Sequence, residues 1–273
     1  MSITFVSAFF DIGRKTEVPL QKYENYFTWI NKLLDIPITL YFFTTLEIHD
    51  RLTYQPRNNL IFGIIDKYPG SEKLSQIQNI WSNYVTNNPE KDTAEFACLT
   101  HSKFHLLNQA INVNPFNSTH YAWIDAGILK IATHGERLPT LYPPDKIKLL
   151  IMNFINSNEV KDPAFVRTCR YKIAAGLFIG PKDNIKTFCD KMITTVNEDI
   201  NNGNFGLEQE YMAVVYRQDI SIFDPYYGDF SDLILNYDKC ERNEWLPIRV
   251  FHDGDEEHKI KVDKYLLKSG IVL

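Results

Sequence analysis

Paired cysteine motifs are missing from this chain. Its four cysteines, Cys98, Cys169, Cys189 and Cys240, lie far apart and form no C-x-x-C pair. That spacing argues against a structural zinc site and predicts free thiols in a reducing compartment. Long apolar runs are missing too. No stretch reaches the roughly 18 residues that a bilayer-spanning helix needs, so no integral membrane segment is expected. The apolar opening, Met1 to Phe10, has no basic leader and reads as a first strand rather than a signal peptide. Excess positive charge is absent: 29 basic against 34 acidic side chains leave a formal charge of -5. Nucleic acid is therefore not the expected partner, because it demands a basic face. A small phosphorylated ligand stays open, since a few local cations and backbone N–H groups can hold one. Neither a G-x-G-x-x-G fingerprint nor a P-loop occurs.

What is present is apolar and aromatic. Hydrophobic residues are 44% of the chain and aromatics 14%, with 15 Tyr and 18 Phe. This is enough for a sizeable core and for clefts lined by rings. The 273 residues suit one large domain or two small ones at about 150 residues each. Strand and helix signals alternate through the first half: strands at Ile3 to Phe9, Ile38 to Phe43, Asn59 to Ile65 and Tyr121 to Asp125, and helices at Gln21 to Leu34, Glu72 to Val85 and Thr93 to Ile111. Ser71 is expected to cap the second of these helices, and Asp92 or Thr93 the third. The second half predicts a proline-rich loop around Pro139, Pro143 and Pro144, then strands at Phe165 to Tyr171 and Ile173 to Ile179. Helices follow from Pro181 to about Asn201 and from Leu207 to Tyr216. Repeated β-α-β units imply an α/β fold, with a mainly parallel sheet flanked by helices on both faces. No repeat or linker interrupts it, so residues 1–273 read as one domain. In such sheets ligands bind beyond the carboxyl ends of the strands, the edge that Asp11 and Asp125 are expected to share.

Five segments carry candidate chemistry, each with a structural alternative. Asp125, after the apolar run Tyr121 to Ile124 and before Ala126-Gly127, is either a turn residue or a ligand for a hard cation or a sugar. Lys103 lies on a helix whose Phe104, Leu107 and Ile111 share one packing face; it points to solvent or reaches a phosphate. Ala174-Ala175-Gly176 permits close approach of a ligand, or simply tight packing. Glu208-Gln209-Glu210 either complements a helix dipole or supplies a group that activates or orients an acceptor hydroxyl. His252, beside Asp253 and Gly254, is a surface turn or a late metal ligand.

Taken in order, Phe5 to Arg14, Asn114-Pro115-Phe116 with Tyr121 to Ile128, Ala175 to Gly180, and Glu208 to Tyr211 resemble the successive motifs of the HtrL/YibB-like family, which includes the WlaTC proteins of bacterial surface-polysaccharide loci. The likeness runs from about residue 3 to residue 216. It implies a GT-A glycosyltransferase fold, with a nucleotide-sugar-binding half (residues 1–130) and an acceptor half (residues 131–273) containing a smaller antiparallel region. It also implies roles. Ala8, Phe9, Asp11 and Arg14 would hold base and ribose. Asp125-Ala126-Gly127 stands in for a D-x-D motif whose second acid is missing, so Asp125 and His252 would hold Mn²⁺ or Mg²⁺. Lys103 and Gly176 would border the donor, a nucleotide sugar such as a UDP-sugar. Glu208, favoured over Glu210, would be the base of an inverting transfer; in a retaining one Gln209 would only orient the sugar. The acceptor would be a glycan or lipid-linked hydroxyl in polysaccharide biosynthesis, and the protein cytoplasmic, able to work at the inner membrane surface. Tyr226 to Asp229 is a candidate acceptor-side loop. The competing reading is a non-catalytic nucleotide- or carbohydrate-binding protein on a degenerate GT-A fold. A metal-dependent phosphate-ester hydrolase would need more clustered carboxylates than the sequence offers.

Overall fold

The structure is a computed structural model, and it describes residues 2–13, 23–132 and 134–237. Arg14, His252, Cys240 and the tail after Tyr237 lie outside the described residues.

Seven strands form one sheet in the order β3-β2-β1-β4-β6-β5-β7. They are β1 (Ile3–Phe9), β2 (Leu40–Thr44), β3 (Leu60–Ile64), β4 (His120–Ile124), β5 (Lys148–Ile151), β6 (Ile173–Pro181) and β7 (Tyr226–Tyr227). Pairs β1–β2, β2–β3, β1–β4 and β5–β7 are parallel, whereas β6 runs antiparallel to both β4 and β5. The expected mainly parallel sheet with an antiparallel second half is therefore what the chain builds. The helices are α1 (Tyr23–Asp35), α2 (Leu46–His49), α3 (Leu74–Trp81), α4 (Ala94–Val113), α5 (Lys182–Asn201) and α6 (Glu208–Gln218).

Strand alternation splits the interior into two cores, because successive side chains point to opposite faces. Phe5, Leu40, Phe42, Ala122, Ile124, Leu177 and Ile179 join Ile30, Leu33 and Leu34 of α1 on one face. On the other, Val6, Tyr41, Phe43, Tyr121, Trp123 and Phe178 pack against residues of α3 to α6, among them Ile77, Phe104, Phe188 and Met212. The expected placement of helices on both faces holds.

Several local expectations change. Phe165 to Tyr171 is not a strand: Phe165–Arg167 is a single 3-10 turn, and β6 finds its antiparallel partners in β4 and β5 instead. Ser71 does not cap α3. It opens a 3-10 turn that runs into the helix, and α3 ends at Trp81 instead of continuing to Val85. Thr93 does cap α4, accepting from the Phe96 N–H at 3.2 Å. Tyr226 is not in an acceptor loop. It lies buried in edge strand β7 and donates to the Leu233 carbonyl at 2.7 Å.

The order of strands places the site. From β1 the chain moves outward to β2 and β3, then returns through α3 and α4 to β4 on the other side of β1. The carboxyl ends of β1 and β4 therefore diverge at a topological switch point, where such sheets open a crevice.

Candidate functional site

A cleft of about 240 Å³ occupies this switch point. Ala8 and Phe9 at the end of β1, Asp11 just beyond it, and Asp125-Ala126-Gly127 just beyond β4 all line it. Lys103 of α4, Gly176 of β6, and Glu208 and Gln209 at the start of α6 line it too. The chain thus brings together ten of the residues singled out from sequence. Glu210 is not among them: it is fully buried behind the cleft.

The floor is an ionic junction. Lys103 is only 2% exposed. Its ammonium donates to Glu208 Oε1 at 3.1 Å and to the Ala175 carbonyl at 3.1 Å, and it lies 3.5 Å from Asp125 Oδ1. Lys103 is not the solvent-facing lysine of one expectation; it lines the cleft as the cation between two acids. Helix α4 explains this, since it is buried around most of its circumference and offers a lysine no exposed face. Burial works against the charge of Lys103, but Asp125 and Glu208 outweigh it and hold its pKa above the usual lysine value. Burial likewise pushes Glu208 up, and the Lys103 charge with hydrogen bonds from Thr100 and Lys103 brings it below the ordinary glutamate range. Glu208 is therefore an ionised, ion-paired group and a weak base.

Asp125 is held from three sides. Its backbone N–H donates to the Gly176 carbonyl at 2.9 Å, and Oδ1 accepts from the Trp123 indole at 2.6 Å as well as from Lys103. Gly176 serves packing and site together. A Cβ there would stand 2.9 Å from Ile128 Cδ1, and its carbonyl fixes the turn that carries Asp125.

One wall is aromatic. Phe9 stacks on Tyr23 with ring centroids 5.6 Å apart and on Tyr26 at 5.5 Å. Lys130 donates to the Tyr26 hydroxyl at 3.1 Å and lines the same cleft. Tyr23, Tyr26 and Lys130 were not singled out from sequence. The two tyrosines resembled core positions of an amphipathic helix; in the structure they are half-buried and face the cleft. The opposite end holds Asp92, Cys169 and Tyr171. Burial and the neighbouring Glu210 charge push the Cys169 thiol up to about 11, so it is no thiolate nucleophile at neutral pH. Tyr171 sits at φ 50°, a left-handed conformation that bulky residues adopt rarely and that concentrates at functional sites.

The described residues fit a divalent cation poorly. At a phosphate site a hard cation takes one or two carboxylates besides the phosphate oxygens. Here Oδ1 of Asp125 is already taken twice, by an indole and by an ammonium. A Cβ at Gly127 would stand 2.9 Å from Tyr26 Cε1, so an acid in that place would have to displace the ring. Among the described residues, no three His, Cys, Asp or Glu side chains are grouped to hold a metal ion. His252, the other expected ligand, lies outside the described residues.

Residues 64–238 match a family described as a bacterial protein of unknown function, HtrL_YibB. The chain belongs to the HtrL_YibB family. Protein HtrL of Escherichia coli (strain K12) is 22% identical over 279 residues, covering 91% of this chain and 95% of the relative. The matched residues include Lys103, Asp125 and Glu208. Among solved structures, that of apo mouse Xyloside xylosyltransferase 1 covers 94% of this chain and 99% of its own, at 9% identity and a TM-score of 0.40. At that level the likeness carries no argument about function. Among the described residues, no helix is long and apolar enough to cross a membrane.

Proposed function

We propose that this chain is a glycosyltransferase that moves a sugar from a nucleotide-sugar donor, such as a UDP-sugar, to a hydroxyl of a glycan or lipid-linked acceptor. One observation carries the reading. At the switch point of the sheet, a buried lysine joins an acid at the end of β4 to an acid at the start of α6, on the floor of a cleft walled by stacked rings. The rings of Phe9, Tyr23 and Tyr26 suit the flat face of a base, and the acids suit sugar hydroxyls. The motif resemblance to GT-A enzymes points the same way.

The junction also bears on the stereochemistry. An inverting transfer needs a base that removes the acceptor proton. Glu208 is held ionised by Lys103 with a lowered pKa, which makes it poor at that task. Glu210 has a pKa raised to about 8 by burial, a better match to a base, but it does not border the cleft. We therefore assign Glu208 and Gln209 to orienting the sugar. The acceptor proton passes to an oxygen of the departing phosphate, which requires attack from the same face and retention of configuration.

The test is incubation of the purified chain with a panel of nucleotide sugars and simple glycan acceptors. Release of nucleoside diphosphate from one donor, with a product whose anomeric configuration by NMR matches the donor, supports the reading. Turnover with inversion contradicts the assignment of Glu208. Binding of a nucleotide sugar with no released diphosphate favours the second reading, a binding protein, for which the weak basicity of Glu208 is the supporting observation.

A further inference from the structure

GT-A enzymes with a D-x-D motif place a divalent ion between their acids and the donor's diphosphate. In this cleft the corresponding place is built differently. Asp125, Glu208 and Lys103 together carry one net negative charge, since two carboxylates meet one ammonium. The ammonium touches both acids and also takes a backbone carbonyl, so all three of its N–H bonds have acceptors. Where a second acid would stand, Gly127 lies under the ring of Tyr26. That ring is itself fixed, stacked on Phe9 and bonded through its hydroxyl to Lys130, whose ammonium also lies 4.8 Å from the ring centre. The residue pattern thus sets a tyrosine where an acid would stand, pairs Asp125 with Lys103, and adds Lys130 to the lining of the same cleft. With Lys103 offsetting the charge of the two acids, a diphosphate that needs positive charge as it departs can take it from the Lys130 ammonium without an ion.

We propose that donor binding and departure of the diphosphate in this protein need no divalent cation: Lys103 fills the charge position between Asp125 and Glu208, and Lys130 meets the diphosphate. Asp125, anchored by the Trp123 indole and by Lys103, is then an acceptor for a donor-sugar hydroxyl and not a metal ligand. This inference rests on the nucleotide-sugar reading of the cleft.

The experiment is calorimetric titration of UDP, GDP, ADP and CDP into the full chain, in EDTA and again with added Mn²⁺. We expect one of them to bind in EDTA with an affinity within about threefold of that in Mn²⁺, a free-energy difference too small to reflect a bridging ion. Lys130→Met, at a half-buried rim position where folding is not at stake, should weaken that binding by about tenfold or more, the scale of a lost charged hydrogen bond. Lys103→Met should do the same if it folds, as judged by circular dichroism; the Lys130 variant decides the matter if it does not. Binding that requires Mn²⁺ would overturn the proposal and leave the nucleotide-sugar reading standing. So would EDTA-insensitive binding that Lys130→Met leaves unchanged, because the cation would then have no part in it. Absence of binding by all four diphosphates, with and without Mn²⁺, would overturn the nucleotide reading and the proposal with it.

Discussion

Lys103→Met separates the electrostatic account of this cleft from a packing account, because methionine keeps much of the stem and removes the charge. In the native protein the ammonium lies 3.1 Å from Glu208 Oε1, whose side chain is 7% exposed, and 3.5 Å from Asp125 Oδ1, which is 40% exposed. At 3.1 Å and an effective dielectric near 20, two unit charges attract by about 5 kcal/mol. Most of this offsets the desolvation of the two groups, so the pair adds little net stability over a well-packed apolar pair. Removing one partner is another matter, because the other is left charged and buried. Asp125 can be screened by solvent, but Glu208 cannot. We therefore expect Lys103→Met to lose about 3–5 kcal/mol at pH 8, or roughly 6–20 °C in Tm for a domain of this size. The loss should depend on pH. Without its cation, Glu208 has a folded-state pKa raised above its unfolded value, so the stability it permits is present at low pH and falls as pH rises through that folded value. The variant should thus lie closer to wild type at pH 5 than at pH 8. The double variant Lys103→Met/Glu208→Gln, with no buried charge to strand, should recover most of the loss at pH 8. Urea unfolding of the three proteins at both pH values, followed by tryptophan fluorescence, measures this; Trp123 lies 5.4 Å from the ammonium and reports on the site directly. The reasoning fails if Lys103→Met stays within about 1 kcal/mol of wild type at pH 8, or if the double variant is no more stable than the single one.

Three further outcomes follow from the same structure. Glu210 is fully buried, with Oε1 accepting from the Arg170 N–H at 2.8 Å, Oε2 unpartnered, and a pKa raised to about 8. A raised carboxyl gives stability that is full below its unfolded pKa and lost as pH rises toward 8. Glu210→Gln should then match wild type near pH 4 and exceed it by about 1–3 kcal/mol at pH 7, read from urea midpoints across that range. Gly206→Ala would bring a Cβ to 1.7 Å from the Val166 carbonyl oxygen, just before α6. It should lose more than about 4 kcal/mol or fail to fold, and a soluble variant with near-native Tm would show that this approach is not so close. Gly127→Asp meets the Tyr26 ring and should lose about 1–3 kcal/mol, part of which Tyr26→Ala restores in the double variant; additive losses by thermal melting would place Tyr26 elsewhere.

Much of the fold was legible because its signals are local. The run Tyr121 to Ile124 is apolar because β4 is buried on both faces, and Thr93 marks the start of α4 by capping it. Pro181 stands at the N-cap position of α5, one residue before the first turn, and so marks the helix start. The strand read at Phe165 to Tyr171 failed because those residues are apolar and β-prone for another reason. Phe165 and Val166 fill the core from a 3-10 turn, and β5, only four residues long behind the proline cluster, takes the sheet position. The site was half legible. Asp11 and Asp125 could be placed at one edge because strand ends can be counted. Lys103 could not be interpreted, since its partner Glu208 is 105 residues away. Polar residues lie on several sides of α4 in the sequence, so nothing local marked Lys103 as the one paired in the interior. Tyr26 could not be told from a packing residue, because one helical periodicity serves a core face and a cleft wall alike.

The account depends on the cleft between the ends of β1 and β4 being the place where a sugar donor's diphosphate sits. A crystal of the full chain soaked with the nucleoside diphosphate that binds in solution addresses this most directly. Density is expected for the base against Phe9, Tyr23 and Tyr26, and for the diphosphate at Lys130 in the cleft above the Lys103–Asp125 pair. Density for the nucleotide anywhere else on the protein, or a metal ion bridging Asp125 and the phosphates, would contradict it.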